Sequence, residues 1–149
     1  MSYLLAVGIT VGLLAGVWVH LSGVVGFIGF AGFLGWASYF AAGGGVRGAK
    51  SSLLTNLSGV FWGICTIAIC GLLPSVPGIL FTILFAAVMC WQAKIEMLGF
   101  IPGTFIGNAA FYASGNDWQG TAVGLVCGIA LGLLSDVLAK KLSEKKEEK

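Results

Sequence analysis

The stretch Phe33-Leu34-Gly35-Trp36-Ala37-Ser38-Tyr39-Phe40-Ala41-Ala42-Gly43 returns 72 residues later as Phe105-Ile106-Gly107-Asn108-Ala109-Ala110-Phe111-Tyr112-Ala113-Ser114-Gly115. Five of the eleven positions are identical and five more are conservative exchanges; only Trp36 against Asn108 differs in kind. Two copies of one motif point to two copies of one structural unit. The competing explanation is chance similarity between two segments rich in glycine, alanine and aromatics. What each unit contains depends on the solvent the chain is built for.

That solvent is lipid. The first 46 residues carry no charge, and the only charged side chains between Met1 and Ala139 are Arg47, Lys50, Lys94, Glu96, Asp117 and Asp136. The chain is 58% hydrophobic and 9% charged, whereas globular domains are about 25% charged. The 24 glycines would weaken soluble helices but let membrane helices approach closely. Residues 1–22 lack a positive leading region and read as a retained first span rather than a signal peptide.

About 20 apolar residues cross the hydrocarbon core. Six segments qualify, near 2–21, 23–43, 52–73, 77–94, 98–115 and 119–139. The breaks between them are short, so neighbours run antiparallel. Arg47 and Lys50 in the second break, Lys94 in the fourth and the lysines from Lys140 onward all fall on one side of a six-span chain, which places both termini in the cytoplasm. The expected fold is all-α: a polytopic six-helix transmembrane domain over 1–139, with repeats of about 1–73 and 74–139, and a charged cytoplasmic tail at 140–149. Three spans per repeat is an odd number, so the second copy enters the membrane upside down, as an inverted 3+3 repeat.

Several functions are excluded by what the chain lacks. It shows no basic groove or aromatic–basic stripe for nucleic acid, and no metal-ligand cluster. Gly43-x-Gly45-x-x-Gly48 follows a membrane helix instead of a strand, so it is no dinucleotide site, and no cofactor is expected. Asn56-Leu57-Ser58 lies inside a span, where a glycosylation acceptor is unusable. Cys65, Cys70, Cys90 and Cys127 sit in apolar runs without a C-x-x-C pair and read as small buried hydrophobes. The lone His20 stands at the outer end of span one with no carboxylate nearby, and no acid–base pair argues for an enzyme.

The matched segments are also the irregular ones. Gly26, Gly29, Gly32 and Gly35 interrupt span two, and Ile101-Pro102-Gly103-Thr104 opens span five. Interruption in corresponding spans is a pointer to a transport site, although Pro102 in a first turn is harmless. Thr104, Asn108 and Phe111 or Tyr112 share one face of span five; Gly32, Trp36 and Tyr39 or Phe40 match them on span two. With Phe33 and Phe105 heading the two motifs, the candidate pore or solute-binding residues are Phe33, Trp36, Tyr39, Thr104, Phe105, Asn108, Phe111 and Tyr112. A mid-membrane amide either binds a neighbouring helix or lines a watered path.

No ionisable group lies at mid-membrane, which argues against ion-coupled pumping. Aromatic constrictions with amides and hydroxyls suit a small neutral or weakly acidic solute crossing passively. The alternative is a non-transporting scaffold or accessory subunit. Small residues four apart (Gly8/Gly12/Gly16, Thr55/Gly59/Gly63, Gly124/Gly128/Gly132) serve either packing within one chain or a homo-oligomer.

The runs Leu34 to Phe40, Asn56 to Trp62, Phe100 to Gly107 and Gly115-Asn116-Asp117-Trp118 resemble the YcdZ-like proteins, a family of small bacterial inner-membrane proteins of unknown function. The resemblance spans almost the whole chain, and Pro102-Gly103-Thr104-Phe105-Ile106-Gly107 with Asp117-Trp118 is its most specific part. It implies a bacterial inner-membrane location and several helices, and brings no activity with it. The likeness to urea and acetate channels is one of layout alone.

Overall fold

The computed structural model describes residues 2–144, and all regular structure among them is helical. The part of the expected tail at 145–149 lies outside the described residues. Three helices are long and apolar enough to cross a membrane: α1 (Tyr3–Val25), α3 (Gly45–Leu72) and α6 (Trp118–Glu144). Three are shorter: α2 (Gly29–Ala41), α4 (Gly78–Trp91) and α5 (Ile101–Ala113). Two single 3₁₀ turns, Gln92–Lys94 and Glu96–Leu98, link α4 to α5.

The helix boundaries correct the sequence reading in several places. The first break falls at Gly26–Ile28 instead of residues 20–23, because Gly26 is left-handed (φ 81°) and closes α1 on the carbonyl of Ser22, whereas Gly23 stays helical. The helix of span three begins at Gly45 instead of 52, since nothing in Val46–Ser51 breaks a helix where it leaves the apolar region. Spans two and five, read as 23–43 and 98–115, contain helices of only 13 residues. At about 1.5 Å per residue these are roughly 20 Å long, short of the ~30 Å hydrocarbon core. Pro102 occupies the first turn of α5, where its missing N–H costs nothing. Of the four cysteines expected to be buried, Cys90 is exposed on α4 and Cys65, Cys70 and Cys127 are half-buried.

The two 13-residue helices begin and end 72 residues apart, and their end turns match as well. After α2, the Gly44 N–H reaches the Tyr39 carbonyl at 3.1 Å; after α5, the Asn116 N–H reaches the Phe111 carbonyl at 3.1 Å. Both turns need left-handed backbone, at Gly43 and Gly44 (φ 92° and 67°) and at Gly115 and Asn116 (both 71°). Glycine adopts it freely, and asparagine is among the few other residues that do so readily.

Helix α2 packs along α6 and α5 along α3, with glycines at the contacts. A Cβ on Gly128 of α6 would run into the carbonyl of Gly32, and one on Gly132 into the Tyr39 ring. A Cβ on Gly59 of α3 would run into the carbonyl of Thr104, and one on Gly63 into the Phe111 ring. Gly35 abuts the Leu125 carbonyl just as Gly107 abuts that of Asn56. Every one of these contacts maps onto its counterpart by a shift of 72 residues on α2/α5 and 69 on α3/α6. The order of contacts shows that α2 runs parallel to α6, and α5 parallel to α3.

Helix α1 joins the first pair. Thr10 Oγ1 donates to the Ser135 carbonyl (3.0 Å) and Trp18 Nε1 to that of Gly29 (2.9 Å). Helix α4 joins the second through Gln92. The described residues thus form two glycine-packed groups, α1/α2/α6 and α3/α4/α5. Between them sits the buried cluster Val60, Ala110, Phe111 and Leu125, with Leu34 and Ile106 packed against it.

Candidate functional site

Trp36 and Tyr39 lie on the face of α2 turned to α6. Trp36 is buried and its Nε1 donates to Ser135 Oγ at 3.2 Å. Tyr39 is fully buried: its hydroxyl donates to Asp136 Oδ2 at 2.8 Å and accepts the Gly45 N–H at 2.7 Å. Asp136 also accepts from the Tyr3 hydroxyl (2.8 Å) and from Lys140 Nζ (2.9 Å). Lys140 stands one helical turn beyond Asp136, so the pair forms along a single helix face. One carboxylate therefore ties together the start of α1, the end of α2, the start of α3 and the end of α6.

The other half has no such anchor. Phe111 fills the place of Tyr39, and Ile67 and Gly71 fill those of Asp136 and Lys140. Its polar centre is Gln92, whose Oε1 accepts from Ser58 Oγ (2.6 Å) and Trp62 Nε1 (2.9 Å) while Nε2 donates to Thr104 Oγ1 (2.7 Å). Thr104 is fully buried. Asn108 Nδ2 donates to the Gly59 carbonyl at 3.2 Å.

A third polar group lies between the halves. With the Asn56 amide oriented to suit its neighbours, its two N–H groups are shared among the Gly103 carbonyl (2.9 Å), Ser38 Oγ (2.8 Å) and the Ser52 carbonyl (3.2 Å). Asn56 and Ser38 are both fully buried, and no buried polar side-chain atom among the described residues lacks a partner. An unpartnered amide at this depth would cost several kcal/mol, on the order of 2–7.

The eight candidate residues do not converge on one lumen. Trp36, Tyr39, Thr104 and Phe111 are buried in helix contacts, and Asn108 is half-buried. Phe33, Phe105 and Tyr112 are 41%, 42% and 43% exposed on the outer surface, because each follows a buried position (Gly32, Thr104 and Phe111) by one residue, a turn of about 100° around the helix. Phe33 stacks on Trp36, with ring centroids 6.3 Å apart. Trp18 is buried whereas Trp91, at nearly the repeat offset, is 62% exposed.

Reading the sequence missed Gln92 as a hub and Asp136 as a buried anchor. The i,i+4 pair Asp136/Lys140 and an amide at the end of an apolar span were the available signals. Nothing in the sequence says that Tyr3 and Tyr39 reach the same carboxylate.

The family described as protein of unknown function DUF1097 matches residues 8–140. This chain belongs to that family. Its DUF1097 relatives include "Uncharacterized protein YahC" of Escherichia coli K12, 39% identical over 97% of this chain and 95% of the relative. "Inner membrane protein YcdZ" of the same strain is 38% identical over 99% of this chain and 97% of the relative. "Inner membrane protein YcdZ" of Salmonella typhimurium LT2 is 39% identical over 88% and 86%. No solved structure matches the chain. With three membrane-length apolar helices, this DUF1097 chain is a membrane protein.

Proposed function

We propose that the chain is a six-span inverted repeat of the inner membrane, with both termini cytoplasmic and with the short helices α2, α4 and α5 crossing a locally thinned bilayer. On this reading it is a passive facilitator for a small neutral or weakly acidic solute, described in a closed state. Support for the topology comes from the matched contacts at shifts of 72 and 69, from the alternating helix directions and from basic residues confined to one side. The names of the relatives support the location.

One observation carries the functional reading: how the bonds are distributed. The tightest glycine contacts and most side-chain hydrogen bonds between helices lie within α1/α2/α6 or within α3/α4/α5. Away from the connecting loops, the seam between the groups holds the apolar cluster around Leu34 and Ile106 and the Ser38–Asn56 pair. Two glycine-packed groups that meet mainly through apolar side chains are suited to rocking about a central path. When the seam parts, Ser38, Asn56 and Asn108 offer hydrogen bonds to a solute that has shed water, and Phe111 narrows the way.

Solute flux into proteoliposomes tests this. A cysteine-free chain carrying Leu34→Cys and Ile106→Cys, bridged by a short bifunctional thiol reagent, is expected to lose flux that returns when the bridge is cleaved. Flux equal to that of empty liposomes across a panel of small neutral solutes and weak acids would leave the scaffold reading. That reading has its own observation: on α1, a Cβ at Gly8, Gly12 or Gly16 would meet nothing within 4 Å, so this smooth stripe is free for a second copy.

A further inference from the structure

Beside the start of α3, outside the seam, lies a cleft of about 700 Å³ between α3 and the link that leads into α5. Its rim carries Arg47, Lys50 and Glu96, and its wall carries Leu53, Leu54 and Phe100. The rim is open to solvent: the Arg47 and Glu96 side chains are 95% and 94% exposed, with 4.0 Å between their charged atoms. We propose that this cleft binds one anionic phospholipid, its phosphate between Arg47 and Lys50 and an acyl chain along Leu53, Leu54 and Phe100.

The argument is one of direction. Along α3 the lining passes from Arg47 and Lys50 through Ser51 to Leu53 and Leu54. Over those seven positions the helix rises about 10 Å, enough to pass through a headgroup layer of about 5–8 Å into hydrocarbon. A small soluble anion would use the cations and leave the apolar wall unfilled; a zwitterionic lipid would fill the wall but bring a cation of its own beside Arg47 and Lys50. Only an amphiphile with a negative head matches both ends, and a basic cleft at the cytoplasmic end of spanning helices is where such headgroups bind. Glu96 moderates the site, since it sits within ion-pair reach of Arg47 and competes with the phosphate.

The inference rests on the proposed orientation only for which leaflet supplies the lipid. Binding is read without flux, so either reading can fail while the other stands. The full chain in neutral detergent is titrated with phosphatidylglycerol, with phosphatidylcholine and with inorganic phosphate, following retained lipid by native mass spectrometry and the melting temperature. Phosphatidylglycerol is expected to be retained and to raise the melting temperature where phosphatidylcholine does neither. The double variant Arg47→Gln/Lys50→Gln should weaken retention roughly tenfold to thirtyfold, the worth of two basic residues against an anionic headgroup. Glu96→Gln should strengthen it, and Leu54→Ser should weaken it. The Arg47 and Lys50 side chains lie at the exposed rim, so the double variant should melt unchanged without lipid. Equal retention of both lipids, or no loss in the double variant, overturns the proposal. Inorganic phosphate protecting as well as phosphatidylglycerol also overturns it, in favour of a plain anion site.

Discussion

Tyr39 rests on Gly132 as Phe111 rests on Gly63, two rings in the same place in the two halves, yet only Tyr39 reaches a carboxylate. The backbone around them is alike down to the turn that follows. The difference lies in one hydroxyl and in Asp136, which collects donors from α1, α2, the start of α3 and its own helix.

Replacing Tyr39→Phe therefore makes the first half copy the second at this point while stranding Asp136 of one donor. Hydrogen bonds to a charged group contribute about 1.5–3 kcal/mol in water-soluble proteins and less between membrane helices, so a loss of about 1–2 kcal/mol is expected. Asp136→Asn should cost more than Tyr39→Phe, because it also removes the charge facing Lys140. Unfolding in mixed detergent, followed by helical circular dichroism, measures both; equal stability of Tyr39→Phe and the parent would show that the hydroxyl contributes nothing.

The glycines divide into two classes with opposite expectations. Gly59→Ala and Gly128→Ala place a methyl against a backbone carbonyl that no rotamer change can move aside. Overpacking of this kind costs about 1–3 kcal/mol. Gly12→Ala has open space around it and should leave the melting temperature within a degree or two. If the α1 stripe joins copies of the chain, Gly12→Leu should lower the oligomeric mass seen by light scattering while the monomer keeps its helical signal.

Gln92 is the hub of the second half, and Gln92→Leu is close in size. The substitution leaves Ser58, Trp62 and Thr104 without their partner at once. Each orphaned group costs about 1–3 kcal/mol if it stays buried. The expected outcome is a clear loss of stability, with a shift in the tryptophan fluorescence maximum. A double-mutant cycle with Thr104→Val separates the Gln92–Thr104 bond from the rest; a coupling near zero would show that these two groups do not act together.

Much was legible because it depends on composition and period. The lipid solvent follows from the near absence of charge up to Ala139, and the relation between α2 and α5 follows from the repeated motif at an offset of 72. Their length was not legible. Hydropathy sees apolar residues from 23 to 43, but not that Gly26 turns left-handed and that Ile28 is extended before α2 begins. The candidate site was read as matching faces of spans two and five, so Phe105 and Tyr112, which lie on the outer surface, were grouped with buried residues.

By itself the sequence determined the environment, the approximate helix positions and the pairing of two segments, since burial in lipid and periodic glycine are properties of the chain taken in order. Only the tertiary structure decided that α2 locks onto α6 and α5 onto α3, and that Tyr3, Tyr39, Gly45 and Lys140 share Asp136. Those choices depend on which backbones approach closely enough for a carbonyl to occupy the space of a missing Cβ, and that distance is set by packing between residues far apart in the chain.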